Sequence, residues 1–250
     1  MGHHEDGSGP WAPLEGITLV NLSHVHDPAT TCLFPGDPPF TLETVATIPD
    51  DGYHLQYVRM GEHTGTHWGA PGHFTAGEAL ADELDPNDLF LPAVKIDMRD
   101  RCAGDPDYAL TVADLRDFER AHGRIPDGAA VIMWTGWETR WGTDAFHQYD
   151  AGGARHQPGF SMAALRWLVD TGRLGRNGAL GTDTFGPDLG TDTSYAVSRL
   201  LYRRRRISLE ILANLASLPA TGAYVLCGGQ INRNGSGSTA IIYGVLPPPG

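Results

Sequence analysis

Three histidines stand close together in one glycine-rich segment of the chain. His63, His67 and His73 fall within eleven residues, and three glycines lie between them. Imidazole titrates near neutral pH, and its neutral form is the commonest nitrogen ligand of zinc and related metals. The cluster therefore indicates a metal site or a proton-transfer site, and in either case an enzyme.

The histidines are predicted at the end of a strand that runs into a loop. Gly65 and the run Gly69-Ala70-Pro71-Gly72 are typical of turns, not of a helix. A bent loop can direct three rings at one point, whereas a straight strand would hold His63 and His67 too far apart to share one ion. Loop carbonyls could instead satisfy the rings, but that alternative suits a lone histidine better than three.

The composition indicates a globular protein with a substantial core. The chain has 250 residues, of which 41% are hydrophobic, and no segment has the composition of a linker. We expect a mobile N-terminal tail at residues 1–15 and a single domain at residues 16–250.

The charge and the cysteines limit the partners and the compartment. A formal net charge of -12 disfavours a nucleic-acid partner, because phosphate binding needs a cationic surface. No apolar run reaches membrane-spanning length. Cys32, Cys102 and Cys227 are odd in number and widely separated, so a disulfide framework is not expected. We expect a cytoplasmic protein without a nucleic-acid or membrane partner.

The predicted elements that position the histidines are mostly short strands. Helices are predicted over Val112–His122, over Met162–Val169 and over Ser208–Leu215, the first two with a Thr111 and a Ser161 cap. Strands are predicted over Ile17–Leu22, Phe40–Ile48, His54–Met60, Ala93–Met98, Ala130–Trp134, Ala179–Thr182, Ala223–Cys227 and Ala240–Val245. Their irregular order predicts a mixed α/β fold with a barrel-like or layered β core flanked by helices.

The segment from His63 to Phe74 resembles the signature of the cyclase superfamily, which includes kynurenine formamidases, isatin hydrolases and polyketide cyclases. Further likenesses follow in family order from about residue 17 to the C-terminus. They are Asn21-Leu22-Ser23-His24, Phe34-Pro35-Gly36-Asp37, Thr135-Gly136-Trp137, Pro158-Gly159-Phe160-Ser161, Gly181-Thr182-Asp183-Thr184, Leu209 to Leu215 and Gly235-Ser236-Gly237-Ser238. The resemblance implies the kynurenine formamidase/cyclase fold and a homo-oligomer.

Two positions depart from the pattern of the metal-dependent members. Gly69 stands where those members carry a metal-binding aspartate, and Ser198 stands where they carry a histidine. Glu210 resembles their metal-binding glutamate. The resemblance therefore implies no metal, or one divalent zinc or manganese ion held weakly by His63, His67 and Glu210.

The remaining imidazoles and carboxylate favour proton transfer over water activation. Among the relatives, the Trp68-Gly69 variant of the motif points to an aromatic polyketide cyclase, a lyase of antibiotic biosynthesis that catalyses aldol condensation and dehydration of a poly-β-carbonyl chain. His73 or His67 would be the base, and His63 with Glu210 would orient or supply the acid. The alternative is a metal-dependent hydrolase of an amide or a lactone.

Aromatic and basic residues suggest how a polyketide could be held. Trp68, Trp137 and Trp141 could stack on a planar substrate, although core packing explains them equally well. The run Arg203-Arg204-Arg205-Arg206 could bind an acyl carrier protein that presents the substrate, although a solvated surface is the more common role of such a run. Asp183 is expected to be a turn residue that bonds its own backbone.

Overall fold

The computed structural model describes residues 16–248, so the predicted tail at residues 1–15 lies outside the described residues. The chain forms thirteen strands and five α-helices within this range. The strands are β1 Thr18–Asn21, β2 Thr41–Ala46, β3 Leu55–Arg59, β4 His67–Gly69, β5 Phe90–Asp97, β6 Ala109–Leu110, β7 Ala130–Trp134, β8 Gly159–Phe160, β9 Ala179–Thr182, β10 Ile207–Glu210, β11 Ala223–Cys227, β12 Gly237–Thr239 and β13 Ile242–Leu246. The helices are α1 Ile48–Asp51, α2 Arg99–Gly104, α3 Val112–His122, α4 Met162–Asp170 and α5 Ala196–Leu201.

Nine of the strands form one mixed sheet, in the order β1-β13-β11-β5-β7-β9-β10-β4-β12. Its centre is parallel, from β5 through β7 and β9 to β10, and the strands on either side pair antiparallel. Strands β2 and β3 form a separate hairpin, and β6 pairs with β8. The predicted mixed α/β fold with a β core flanked by helices is confirmed.

The parallel strands are connected by helices, as parallel pairing requires. Their residues are almost wholly apolar: β7 reads Ala-Val-Ile-Met-Trp and is buried throughout. On one face Val94, Val131 and Leu180 pack against Leu115 of α3 and Leu165 of α4. A second apolar cluster covers the other face of the sheet. Burial on both faces explains why these strands are continuous apolar runs, not alternating ones.

Local sequence fixes the ends of the two longest helices. Thr111 Oγ1 accepts from the backbone N–H of Asp114 at the start of α3, and Gly123 follows its last residue. Ser161 Oγ accepts from the backbone N–H of Ala164 at the start of α4. These are the caps that the sequence predicts.

The predicted helix over Ser208–Leu215 is wrong. Strand β10 occupies the beginning of this segment, and Ile211 follows it with a φ of 56°. The apolar spacing fits a helix, but pairing with β9 on one side and β4 on the other overrides this local tendency. Strand β10 therefore ends at Glu210, whose side chain lies between the neighbouring strands at the end of β10 and faces β4.

Within residues 16–248, none of the helices has the length and hydropathy needed to cross a membrane. The expected homo-oligomer stays a prediction.

Candidate active site

The centre of the candidate site is an ion pair between His67 and Glu210. The antiparallel register of β4 and β10 places the two residues directly opposite each other. Opposed side chains lie on the same face of a sheet and within contact distance. His67 Nε2 lies 3.3 Å from Glu210 Oε2, and the two side chains are 4% and 13% exposed. The pairing of two strands therefore builds the pair.

Both members of this pair are stabilised in their charged forms. Burial by itself lowers the pKa of His67, but the Glu210 carboxylate and the Gly65 carbonyl, which accepts from Nδ1 at 2.8 Å, raise that pKa overall. Burial by itself raises the pKa of Glu210, but the His67 ring and the Ser208 hydroxyl lower it overall. In each residue the opposite charge and the hydrogen bonds outweigh desolvation.

The loop before β4 is held tightly against the N-terminal segment. Gly65 has a φ of 63°, and a Cβ there would collide with the ring of His26, so only glycine fits. Thr66 Oγ1 donates to the carbonyl of Ile211 at 2.6 Å and accepts from the backbone N–H of His24 at 2.9 Å. These bonds fix the backbone from which the histidines project.

His63 and His73 form a stacked pair beside His67. Their ring centroids lie 4.0 Å apart, and the His63 ring is 4.9 Å from that of His67. Burial, together with the two neighbouring rings, lowers the pKa of His63 to about 2. Burial also lowers the pKa of His73. The three predicted histidines therefore converge, with two neutral rings next to one charged ring.

A hydroxyl group occupies the place that a side chain at position 69 would take. A Cβ on Gly69 would collide with Tyr202 Oη and lie 2.8 Å from Ser208 Oγ. These hydroxyls are 2.6 Å apart, and Ser208 Oγ donates to Glu210 Oε1 at 2.5 Å. An aspartate therefore has no room at this position, and two buried hydroxyls support Glu210 instead.

Ser198, the second departure from the metal-binding pattern, also has a structural partner. Its hydroxyl donates to Asp188, which accepts from the backbone N–H of Val197 at 2.7 Å as well. Burial raises the pKa of Asp188 in spite of these bonds. The serine thus belongs to a hydrogen-bonded group at the start of helix α5.

The residues present do not fit the predicted metal site of His63, His67 and Glu210. Among residues 16–248, no three His, Cys, Asp or Glu side chains are placed to hold a metal ion. The His63 ring is stacked on His73, and its Nε2 lies 2.9 Å from Ser236 Oγ. Two donors remain where a hydrolytic centre takes about three protein ligands.

The histidines and Glu210 open onto a cavity of about 370 Å³. Its aromatic walls are Phe34, Phe74, Phe185 and Tyr195. Its polar lining includes Asp37, Arg155, Gln157 and Asp188 in addition to His63, His67, His73, Ser198 and Glu210. A small concave site with apolar walls and a few converging polar groups is typical of ligand binding.

The three predicted tryptophans do not line this cavity. Trp68 neighbours His67 on β4, so its side chain projects from the opposite face, where it is 1% exposed and donates to the Gly228 carbonyl. Trp137 is equally buried and donates to the Phe146 carbonyl. Trp141 stacks on His24. Core packing, the alternative given for them, is what the structure shows.

The arginine run is divided between structure and solvent. Arg205 pairs with Asp88 at 3.1 Å, and Arg206 is buried and donates to the Gly175 carbonyl. Arg203 and Arg204 are exposed. A continuous cationic patch of four arginines is therefore not present.

Three residues at the site are not predicted from the sequence. Tyr202 and Ser208 carry the hydroxyls beside Gly69, and Arg155 lines the cavity. The absence of a side chain at position 69 is a signal that another group must fill the space, but the sequence does not show which one.

Asp183, expected to bond its own backbone, instead accepts from the backbone and hydroxyl of Thr135 at 2.9 and 2.8 Å.

Comparison with known proteins identifies the family. The family model named Cyclase matches residues 20–189. The chain is 31% identical over 245 residues to an isatin hydrolase of Roseibium aggregatum, covering 92% of each chain. The chain belongs to the Cyclase family. The superfamily membership that the histidine motif predicts is thereby confirmed.

Solved structures show how far the likeness extends. The isatin hydrolase A of Labrenzia aggregata, bound to benzyl benzoate, superposes with a TM-score of 0.85 at 29% identity, covering 95% of this chain and 96% of that one. A potential metal-dependent hydrolase with cyclase activity superposes with a TM-score of 0.68 at 18% identity, covering 93% and 100%, and shows a shared fold alone. The expected cofactor, none or one divalent zinc or manganese ion, stays a prediction.

These comparisons correct the predicted function. The hypothesis of an aromatic polyketide cyclase, a lyase of antibiotic biosynthesis, is wrong, because the relatives that match nearly the whole chain at about 30% identity are isatin hydrolases. The two motif departures that favoured cyclisation have another cause: Tyr202 fills the space at Gly69, and Asp188 engages Ser198. The hydrolase alternative is the better supported one.

Proposed function

We propose that the protein hydrolyses the ring amide of a small, flat aromatic compound such as isatin. The observation that carries this proposal is the 31% identity to an isatin hydrolase over 92% of both chains. The cavity supports it, since a volume of about 370 Å³ between Phe34, Phe74 and Phe185 suits a fused bicyclic ring.

The reaction adds water across the carbon–nitrogen bond of the ring. The oxygen of water forms a bond to the carbonyl carbon, the bond from that carbon to nitrogen breaks, and a proton goes to the nitrogen. The enzyme must therefore supply a base for the water, a positive group for the developing oxyanion and a proton for the leaving nitrogen.

His73 is the proposed base, and it passes the proton that it takes from water to the leaving nitrogen. Burial lowers the pKa of His73, so the ring is neutral and can accept a proton at neutral pH. It lines the cavity together with His67. The His63 ring, stacked on it at 4.0 Å, restricts its orientation.

His67 is the proposed electrostatic group, and Glu210 the residue that positions it. The carboxylate keeps the imidazole protonated. Because Gly65 and Glu210 engage both ring nitrogens, the ring acts on the negative charge that develops on the substrate oxygen through its own charge and not through a donated hydrogen bond. Ser208 and Tyr202 hold Glu210 in turn. The proposed steps use only side chains of this chain, because the described residues do not form a set of metal ligands.

The test is to incubate the purified protein with isatin and to identify the product by mass. We expect the ring-opened amino acid, heavier than isatin by one water. His73→Ala should lower kcat about 10²-fold or more, whereas the exposed His54→Ala should not change it. Unaltered isatin, or equal rates in the two variants, would refute the proposal.

A further inference from the structure

Arg155 places a positive charge in the wall of the cavity without a matching carboxylate. Its guanidinium carbon lies 4.6 Å from the ring centroid of Phe34 and 5.4 Å from that of Phe185. Its Nη1 is buried and has no hydrogen-bond partner among the residues described. Arg155 also takes part in none of the ion pairs found within residues 16–248.

The carboxylates that share the cavity with Arg155 are engaged elsewhere or form no ion pair with it. Glu210 is paired with His67, and Asp188 accepts from Ser198 and from the backbone of helix α5. Asp37 also lines the cavity, but it is not within ion-pair distance of Arg155. The charge of the guanidinium is therefore free for a ligand.

An unpaired, partly buried guanidinium is costly, and two aromatic rings offset only part of that cost. Contact of a cation with an aromatic face stabilises it by less than the desolvation penalty of a buried ion. A planar guanidinium with free N–H groups binds a carboxylate through two parallel hydrogen bonds. Phe34 and Phe185 fix the plane of the guanidinium and can also contact an aromatic ring of the ligand.

We propose that Arg155 determines specificity by binding a carboxylate carried by an aromatic substrate, so that the preferred substrate is an aromatic acid. The inference rests on the proposed function for the identity of the reaction. A measurement of binding alone is sufficient to test the inference. The substrate carboxylate faces Arg155, its ring lies against the aromatic wall that contains Phe34 and Phe185, and the group that reacts faces His67 and His73. A neutral aromatic amide fits the same walls and leaves the guanidinium unpaired.

The experiment compares two ligands of equal size, indole-2-carboxylate and indole-2-carboxamide, by titration calorimetry. We expect the wild-type protein to bind the acid at least 10-fold more tightly than the amide. Arg155→Met keeps a long side chain against the rings but removes the charge, and it should abolish this preference while leaving the affinity for the amide within about 2-fold of wild type. Arg155→Lys, which keeps the charge but loses the two parallel N–H donors of the guanidinium, should retain part of the preference.

The matched control is Arg199→Met. Arg199 is exposed and lies 5.5 Å from the ring of Phe74, but it does not line the cavity, so this variant should keep the full preference. Equal affinity of the wild-type protein for acid and amide, or an equal loss for both ligands in Arg155→Met, would overturn the inference. A preserved preference for the acid together with an inability to open isatin would refute the proposed reaction and leave this binding site standing.

Discussion

Glu210 is the residue on which the charges of the site depend. It contacts the charged His67 ring on one side and accepts from Ser208 on the other. Without its negative charge, burial would lower the pKa of His67, and the ring would lose its proton. The positive charge in the wall of the cavity is therefore a property of the pair.

We expect Glu210→Gln to lower kcat for ring opening by about 10²-fold or more, with a smaller change in KM, because the charge acts mainly in the transition state. Steady-state kinetics with isatin measure both constants. Glu43→Gln, at an exposed position on β2, is the matched control and should not differ from wild type. A change confined to KM would show that Glu210 acts in substrate binding only.

Among the secondary-structure elements, the pairing of β4 with β10 places the ion pair of the site and leaves no room for a side chain at position 69. The same register that opposes His67 to Glu210 also opposes Gly69 to Ser208. Tyr202, which follows helix α5, fills the space above that glycine with its hydroxyl. One strand pair therefore builds the ion pair and removes the place of a third metal ligand.

Gly69→Ala should reduce the free energy of unfolding by about 1–3 kcal/mol, because its methyl group would collide with the Tyr202 hydroxyl. Tyr202→Phe removes that hydroxyl and should cost about 1 kcal/mol through its lost bond to Ser208. The double variant should lose less than the sum of the two, which denaturant unfolding can measure as a coupling of about 1 kcal/mol. Strictly additive losses would mean that the two groups do not compete for space.

A second prediction at this scale concerns Asp183, which follows β9 and fixes the loop after β7 through Thr135 and Glu138. Burial raises the pKa of Asp183 from 3.8 to about 6, although these hydrogen bonds oppose the shift. Between the two pKa values the folded protein therefore holds a proton that the unfolded chain has released. The free energy of unfolding should fall as pH rises through this window, by up to about 1.4 kcal/mol per pH unit.

Asp183→Asn cannot release a proton, so its unfolding free energy should lack this component of the pH dependence. Denaturant titrations of both proteins at several pH values between the two pKa values measure the difference. Parallel pH profiles for wild type and variant would contradict the assignment.

For the molecule as a whole, the sequence predicts the fold class and the location of the site, and the contacts decide the chemistry. The periodicity and caps predict most strands and both long helices, because their local preferences agree with the final packing. The helix predicted over Ser208–Leu215 is wrong because strand pairing with β4 and β9 is a non-local effect. The interactions of Gly69 with Tyr202 and of Ser198 with Asp188 are equally non-local, so no spacing in the sequence reveals them.

The residues that face the ligand also depend on non-local contacts. The aromatic residues that line the cavity, Phe34, Phe74, Phe185 and Tyr195, come from three separate loops, and none of them stands in a cluster of aromatic residues in the sequence. Trp137 and Trp141 do stand close together in the sequence, but Trp137 is buried in an apolar cluster and Trp141 packs against that cluster. Composition therefore identifies aromatic surface without showing which residues face a substrate.

The most direct test of the proposed chemistry is the conversion of isatin by protein that has been depleted of metal with a chelator. Because His67, His73 and Glu210 supply the base and the charge, we expect the depleted protein to form the ring-opened acid at the rate of the untreated protein. Elemental analysis of the sample confirms the depletion. A loss of ring opening that added manganese or zinc restores would contradict chemistry carried by side chains, and intact isatin in every sample would contradict the hydrolase itself.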